Sequence, residues 1–129
     1  MFTLAQIEAA HSKIESGKNF PEFAGKIKEM GVDTFEIFVG DGSAIYKGKD
    51  GYEVSGVQQY APILIFGIVN PIKFLEDLRN HQQGNTDFFQ FCKDCADSGI
   101  HKWIVDLNAK TCTYYDLTGT AIFQEKIPD

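Results

Sequence analysis

The residues with most chemical potential are Cys92-Lys93-Asp94-Cys95, two thiols at the spacing of a redox dithiol. That chemistry needs the first cysteine at a helix N-terminus, where the helix dipole lowers the thiol pKa. Here the predicted helix starts near Asp87, so Cys92 comes about a turn inside it, behind Phe88, Phe89 and Phe91. Both cysteines fall on the helix's apolar stripe, where a free cysteine packs as a small hydrophobe. With His101 and Cys112 they complete a zinc set by residue type, but the spacing is loose and the donors come from a helix interior and a strand. The expectation is a packing role, with no metal and no cofactor.

The stretch His81-Gln82-Gln83-Gly84-Asn85-Thr86-Asp87 is the most polar in the chain. Two readings stand. In one, Asp87 orients His81 or His101 and a nearby thiol, Cys92, completes a Cys/His/Asp set for a small enzyme. In the other, Asp87 caps the following helix, Gly84 turns the chain, and His81 and Gln82 are solvated. Trp103, with Tyr114 and Tyr115, reads as sheet packing. The candidate functional residues are therefore His81, Gln82, Thr86, Asp87, Cys92 and Trp103, and none is assigned a catalytic role. Gly40-Asp41-Gly42 is too short for a phosphate loop and leads into a strand, and no nucleotide, hydrolase or metalloprotease signature is present.

These residues need a scaffold, and the sequence outlines one. Thr3 and Gln6 have capping-box spacing, and Ile7, Ala10, His11 and Ile14 follow at helical intervals up to Gly17. Pro21, Phe23, Ile27, Met30 and Gly31 mark a second helix. The period then drops to two over Thr34–Val39 and Ser43–Lys47, a hairpin around Gly40-Asp41-Gly42, with Tyr52-Glu53-Val54 as a short further strand. Ser55–Pro62 reads as loop and Ile63–Phe66 as a buried strand. Asn70-Pro71 opens a third helix, with Ile72, Phe74, Leu75 and Leu78 as its apolar positions. A fourth runs from Asp87 to Gly99 with Phe88, Phe91, Cys92, Cys95 and Ala96 as its stripe. Strands at 101–107, 111–116 and 120–126 form a meander. Helices and strands are segregated, so the fold class is α+β: an antiparallel sheet of about five to seven strands, packed with two pairs of helices.

With 129 residues and 43% hydrophobic content, the chain reads as one domain, 1–129, able to fold without disulfides or metal. Its net charge of −6 and 12 basic residues, of which Arg79 is the one arginine, argue against nucleic acid and anionic membranes as partners. The longest apolar run is too short for a membrane span, and the N-terminus lacks a signal-peptide core. An odd count of three cysteines fits a reducing, cytoplasmic setting. Self-association into a homo-oligomer is left open.

Several of these residues also carry a family likeness. The first helix with Ile7 and His11-Ser12, Phe38-Val39 with Asp41-Gly42, His81-Gln82-Gln83-Gly84, Thr86-Asp87-Phe88, Phe91-Cys92, Ala96, Gly99, Lys102-Trp103, Val105-Asp106 and Cys112 to Asp116 together resemble the YbcV-like family of small bacterial proteins. Its shared domain is one of unknown function, and some members bear the label phage envelope protein. The resemblance implies a bacterial origin, in some relatives a prophage one, but carries over no reaction, cofactor or partner. The residues themselves favour a small non-enzymatic binding or interaction domain, with the Cys92, His81 and Asp87 enzyme as the alternative.

Overall fold

The computed structural model describes residues 1–11 and 20–127. Among them are helices α1 (Leu4–His11), α2 (Phe20–Glu29), α3 (Pro71–Gln82) and α4 (Phe88–Asp97). The strands are β1 (Thr34–Phe38), β2 (Ala44–Lys47), β3 (Glu53–Gly56), β4 (Lys102–Asp106), β5 (Thr111–Tyr115) and β6 (Ala121–Lys126). They form one six-stranded antiparallel sheet in the order β3-β2-β1-β4-β5-β6, so the fold is α+β as expected. The hairpin and the meander are joined by the pairing of β1 with β4.

Helix boundaries follow local chemistry. Thr3 and Gln6 exchange bonds as a full capping box, Thr3 N–H to Gln6 Oε1 at 2.9 Å and Gln6 N–H to Thr3 Oγ1 at 3.2 Å. Asn70 caps α3 by accepting from Lys73 N–H at 3.1 Å, with Pro71 in the first turn. Gly31, Gly84 and Gly99 end their helices with positive φ, as their positions predict. The expected stop at Gly17, and Ile14 before it, lie outside the described residues.

Alternation decides which sheet face is covered. Ala44 and Tyr46, Phe35 and Ile37, Trp103 and Val105, and Cys112 and Tyr114 are buried on one face, in register across the strands. All four helices lie on this side. α2 brings Phe23 against Phe35, with ring centroids 6.2 Å apart; α4 brings Phe91 to 5.4 Å from Trp103; α3 brings Phe74 to 4.9 Å from Tyr114. The opposite face is half-exposed and amphipathic. There Lys102 pairs with Glu36 at 2.8 Å and lies over the rings of Phe38 and Tyr115.

Two expectations are corrected. Ile63–Phe66 is not a strand. The segment runs past the ends of β1 and α4, bonded only through Ile63 N–H to Gly40 O and Phe66 N–H to Ala96 O. Both edges of β1, the strand whose end the segment passes, are already paired, with β2 and β4, so it joins no ladder there. It keeps the alternation of an extended chain, with Ile63 and Ile65 half-buried and Leu64 and Phe66 exposed. Ile72, assigned to the α3 stripe, is 74% exposed, because Phe74 and Leu78 define the buried side of that helix.

The segment is held close against the end of α4, where Asn70 N–H donates to Ser98 O at 3.0 Å. A Cβ on Gly99, whose φ is +83°, would meet Ile68 O at 2.8 Å and the Val69 Cα at 2.9 Å. Gly51 has a similar φ of +77° but open space around it. Gly51→Ala should therefore cost about 1 kcal/mol from backbone strain alone, and Gly99→Ala about 2–4 kcal/mol because backbone must also move. Urea unfolding of the two variants checks this, and equal losses would contradict the packing described.

Candidate functional site

The two helical pairs stand on different halves of the sheet and part over the β1–β4 junction. Between them lies a cleft of about 660 Å³ floored by Phe35, Ile37, Tyr46, Trp103, Cys112 and Tyr114. Phe20 and Phe23 form the α2 wall and Phe88 and Phe91 the α4 wall, with His11 bridging towards them from α1. The His11 ring is edge-on to Phe23 at 5.3 Å and to Phe88 at 6.3 Å. Size and lining are those of a small-molecule site: mostly aromatic, with a few polar groups at fixed places.

Four of the six candidate residues meet here. His81, Gln82, Asp87 and Trp103 all line the cleft. His81 stacks on Phe91 at 4.3 Å with the ring planes 8° apart, and its Nδ1 lies 3.0 Å from both the carbonyl oxygen and the hydroxyl of Thr86. A carbonyl only accepts, so Nδ1 carries the proton and donates to Thr86. Nε2 is then a neutral acceptor, and it has no partner among the described residues. Burial lowers the His81 pKa, outweighing the Thr86 bond and the neighbouring Asp87 and Asp94 carboxylates that raise it, so the ring is neutral near pH 7.

Gln82 points to the rim. Its Nε2 donates to Glu125 Oε1 at 2.6 Å, while Arg79 donates to Gln82 Oε1 at 3.1 Å and lies 3.5 Å from Glu125 Oε2. This network ties α3 to β6. Asp87 is the N-cap of α4, accepting from Gln90 N–H at 2.8 Å. The reciprocal half of a capping box is missing, because the Gln90 amide donates to Asp94 instead. Thr86 stands behind His81 as its hydrogen-bond partner.

Cys92 is apart from them. It is fully buried, does not line the cleft, and has Tyr60 beside it. Burial pushes its thiol up to about 12, that of Cys112 also to about 12, and that of Cys95 well above its ordinary value. All three cysteines are free thiols. Of Cys92, His81 and Asp87, the cleft is lined by His81 and Asp87 and not by Cys92. Among the described residues, no three His, Cys, Asp or Glu side chains converge in metal-binding geometry.

The aromatic floor was missed as a site by sequence reasoning. Its members Phe35, Tyr46 and Tyr114 were legible as sheet residues, but no spacing announced a gap above them. Two polar tips in that floor stand out. Among the described residues, the Tyr46 hydroxyl and the Trp103 indole N–H have no hydrogen-bond partner, and both residues line the cleft. Buried tyrosine and tryptophan ordinarily satisfy such groups.

The profile of a family described as "Protein of unknown function (DUF1398)" matches residues 8–126. The chain belongs to that family. It is also similar to a protein described as "Uncharacterized protein YcgX" from Escherichia coli (strain K12), at 29% identity over 58 residues. That match covers 45% of this chain and 43% of the relative, less than half of either. The family match takes in every cleft residue from α4 and the sheet up to Lys126. Among the described residues no helix is long and apolar enough to cross a membrane.

Two outcomes follow from the site. Asp87→Ala should destabilise the protein by about 0.5–2 kcal/mol, and Asp87→Asn, which keeps the accepting oxygen, should recover most of it in chemical denaturation. The second concerns pH. His81 and His11 both have pKa values below the ordinary 6.5, so the unfolded chain binds more protons than the folded one as the solution is acidified. Their contribution is complete above about pH 7 and is lost as pH falls through the unfolded and then the folded value. The urea midpoint should drop from about pH 7 to about pH 5.5, and His81→Asn, whose amide can still donate to Thr86, should make that drop shallower. A slope unchanged in the variant would show that His81 is not the group responsible.

Proposed function

We propose that this protein is a non-enzymatic binding domain that holds a small, ring-containing molecule in the cleft between its two helical pairs. The observation that carries the reading is the aromatic cleft itself, with the polar tips of Tyr46 and Trp103 in its floor. A cleft of about 660 Å³ lined mostly by aromatic side chains has the size and composition of a small-molecule site. The thiols, raised far above neutral pH by burial, supply no nucleophile, which weighs against the alternative enzyme built on Cys92.

The wider expectations fit the same reading. The chain acts as one domain, in a reducing cytoplasm where three buried thiols stay unpaired, and its acidic charge disfavours nucleic-acid partners. Within its family we propose the YbcV-like group, on a likeness that spans nearly the whole chain, from the first helix to Asp116.

Trp103 is the only tryptophan and lines the cleft, so its fluorescence reports on occupancy. Titration with 9-anthracenemethanol should quench it saturably at one molecule per chain. At about 100 times Kd the ligand should add about 2.7 kcal/mol of stability. Phe23→Ala in the cleft wall should weaken binding, whereas Ile68→Ser, on the exposed segment before α3, should not. Quenching that never saturates, or that responds equally to both substitutions, would refute the cleft as a binding site.

A further inference from the structure

The charges around the cleft narrow its occupant. The charges that act on the histidine, tyrosine and cysteine side chains of the cleft are carboxylates or thiols, while Glu125 itself is paired with Arg79. Glu8 acts on His11 and on Tyr46, Asp87 and Asp94 act on His81, and Glu125 acts on Cys112 and Tyr114. Among the described residues, two cations line the cleft. Arg79 at the rim is engaged by Gln82 and Glu125. Lys126 pairs across from Thr111, so it alternates with Glu125, which stands opposite Cys112 on the cleft side of the sheet. Lys126 borders the cleft at the strand end and belongs to the other face.

The cleft therefore combines three features that suit one kind of ligand. Its walls are the rings of Phe20, Phe23, Phe35, Tyr46, Phe88, Phe91, Trp103 and Tyr114, whose faces carry the negative part of the aromatic quadrupole. Asp87 and Glu125 line the cleft on one side, Glu125 sharing its charge with Arg79 at 3.5 Å, and Glu8 acts on His11 and Tyr46 from outside the lining. Its one fixed neutral nitrogen, His81 Nε2, accepts a hydrogen bond and does not donate one, because the Thr86 carbonyl holds the proton on Nδ1. Among the described residues, an anionic ligand would meet the Asp87 and Glu125 carboxylates, with the Trp103 N–H and the tyrosine hydroxyls as donors in the floor and Arg79 and Gln82 at the rim already bonded to Glu125.

We propose that the cleft binds an organic ammonium cation, a protonated amine on an apolar ring body, with the ring among the cleft aromatics and the ammonium N–H donating to His81 Nε2 on the Asp87–Glu125 side. This rests on the reading of the cleft as a binding site, and the experiment separates the two. Three probes share one tricyclic body: 9-(aminomethyl)anthracene as the cation, 9-anthracenemethanol as its neutral counterpart, and anthracene-9-carboxylate as the anion. Binding to the full chain at pH 7 is followed by calorimetry and Trp103 quenching.

The ammonium should bind at least about tenfold more tightly than the alcohol, with the carboxylate weakest. The Asp87→Asn, Glu125→Gln double variant keeps the α4 cap and should bring ammonium affinity close to that of the alcohol. Its unchanged affinity for the alcohol would show that the cleft is still folded. Ammonium and alcohol binding alike, or the carboxylate binding best, would overturn the cation assignment while leaving the cleft as a binding site. A preference for ammonium that survives in the double variant would overturn the assignment of the charge to these carboxylates. If none of the three binds saturably, both readings fall.

Discussion

The pairing of β1 with β4 is the constraint on which the rest of this structure depends. These strands lie far apart in sequence and meet over five positions, from Thr34 opposite Asp106 to Phe38 opposite Lys102. The ladder extends past both ends through Leu107 N–H to Asp33 O and Val39 N–H to His101 O. Without it the molecule would be a hairpin unit and a meander unit, each a small sheet with one apolar face and too little to bury it against. With it, a single buried face runs from Ala44 and Tyr46 to Tyr114. Closing so long a loop is costly in entropy, and the Phe35–Val105 and Ile37–Trp103 pairs at the centre offset that cost.

That same pairing creates the cleft. Each helical pair is tethered by short connections to its own half of the sheet, α2 over β1 and α3 with α4 over β4 to β6. The short connections, 30–33 from α2 and 98–101 from α4, lead straight into the junction strands, which carry Phe35 and Trp103. The cleft lies above these residues, between the two helical pairs. The fold and the site are not separate achievements of the sequence: the strand pairing that completes the core also sets where the helices fail to meet.

The polar residues divide between two tasks. Asn70, Thr3 and Asp87 spend their side chains on helix ends, and Asp41 and Asp116 on turns. His81, Gln82, Glu125 and Arg79 link α3 to β6 and to the loop before α4, and in doing so shape one wall of the cleft. Asp87 belongs to both groups. Its Oδ1 caps α4, yet its charge reaches His81, so the capping reading and the site reading of this residue are compatible in one geometry.

Much of the fold was legible from local rules, because local rules govern it. The switch from a period near 3.6 to a period of two, the glycines at positive φ, the caps at Thr3, Asn70 and Asp87, and the stripe of α4 are all settled within a few residues of chain. The class followed from the segregation of helices and strands. The strand expected at Ile63–Phe66 failed because alternation specifies an extended chain but not a ladder partner, and the edges of β1 were taken by β2 and β4. The polar loop at His81 was visible by composition, but its tautomer was not, since that depends on the Thr86 carbonyl turning towards the ring. Nor could spacing show that Cys92 is buried outside the cleft that His81 lines, or that Tyr46, Phe35 and Trp103 share a floor. What the sequence by itself determined was each element and the face it would bury, through periodicity and capping. What only the tertiary structure decided was which buried faces meet fully and which leave a gap, because that depends on strand order and on the reach of the connections.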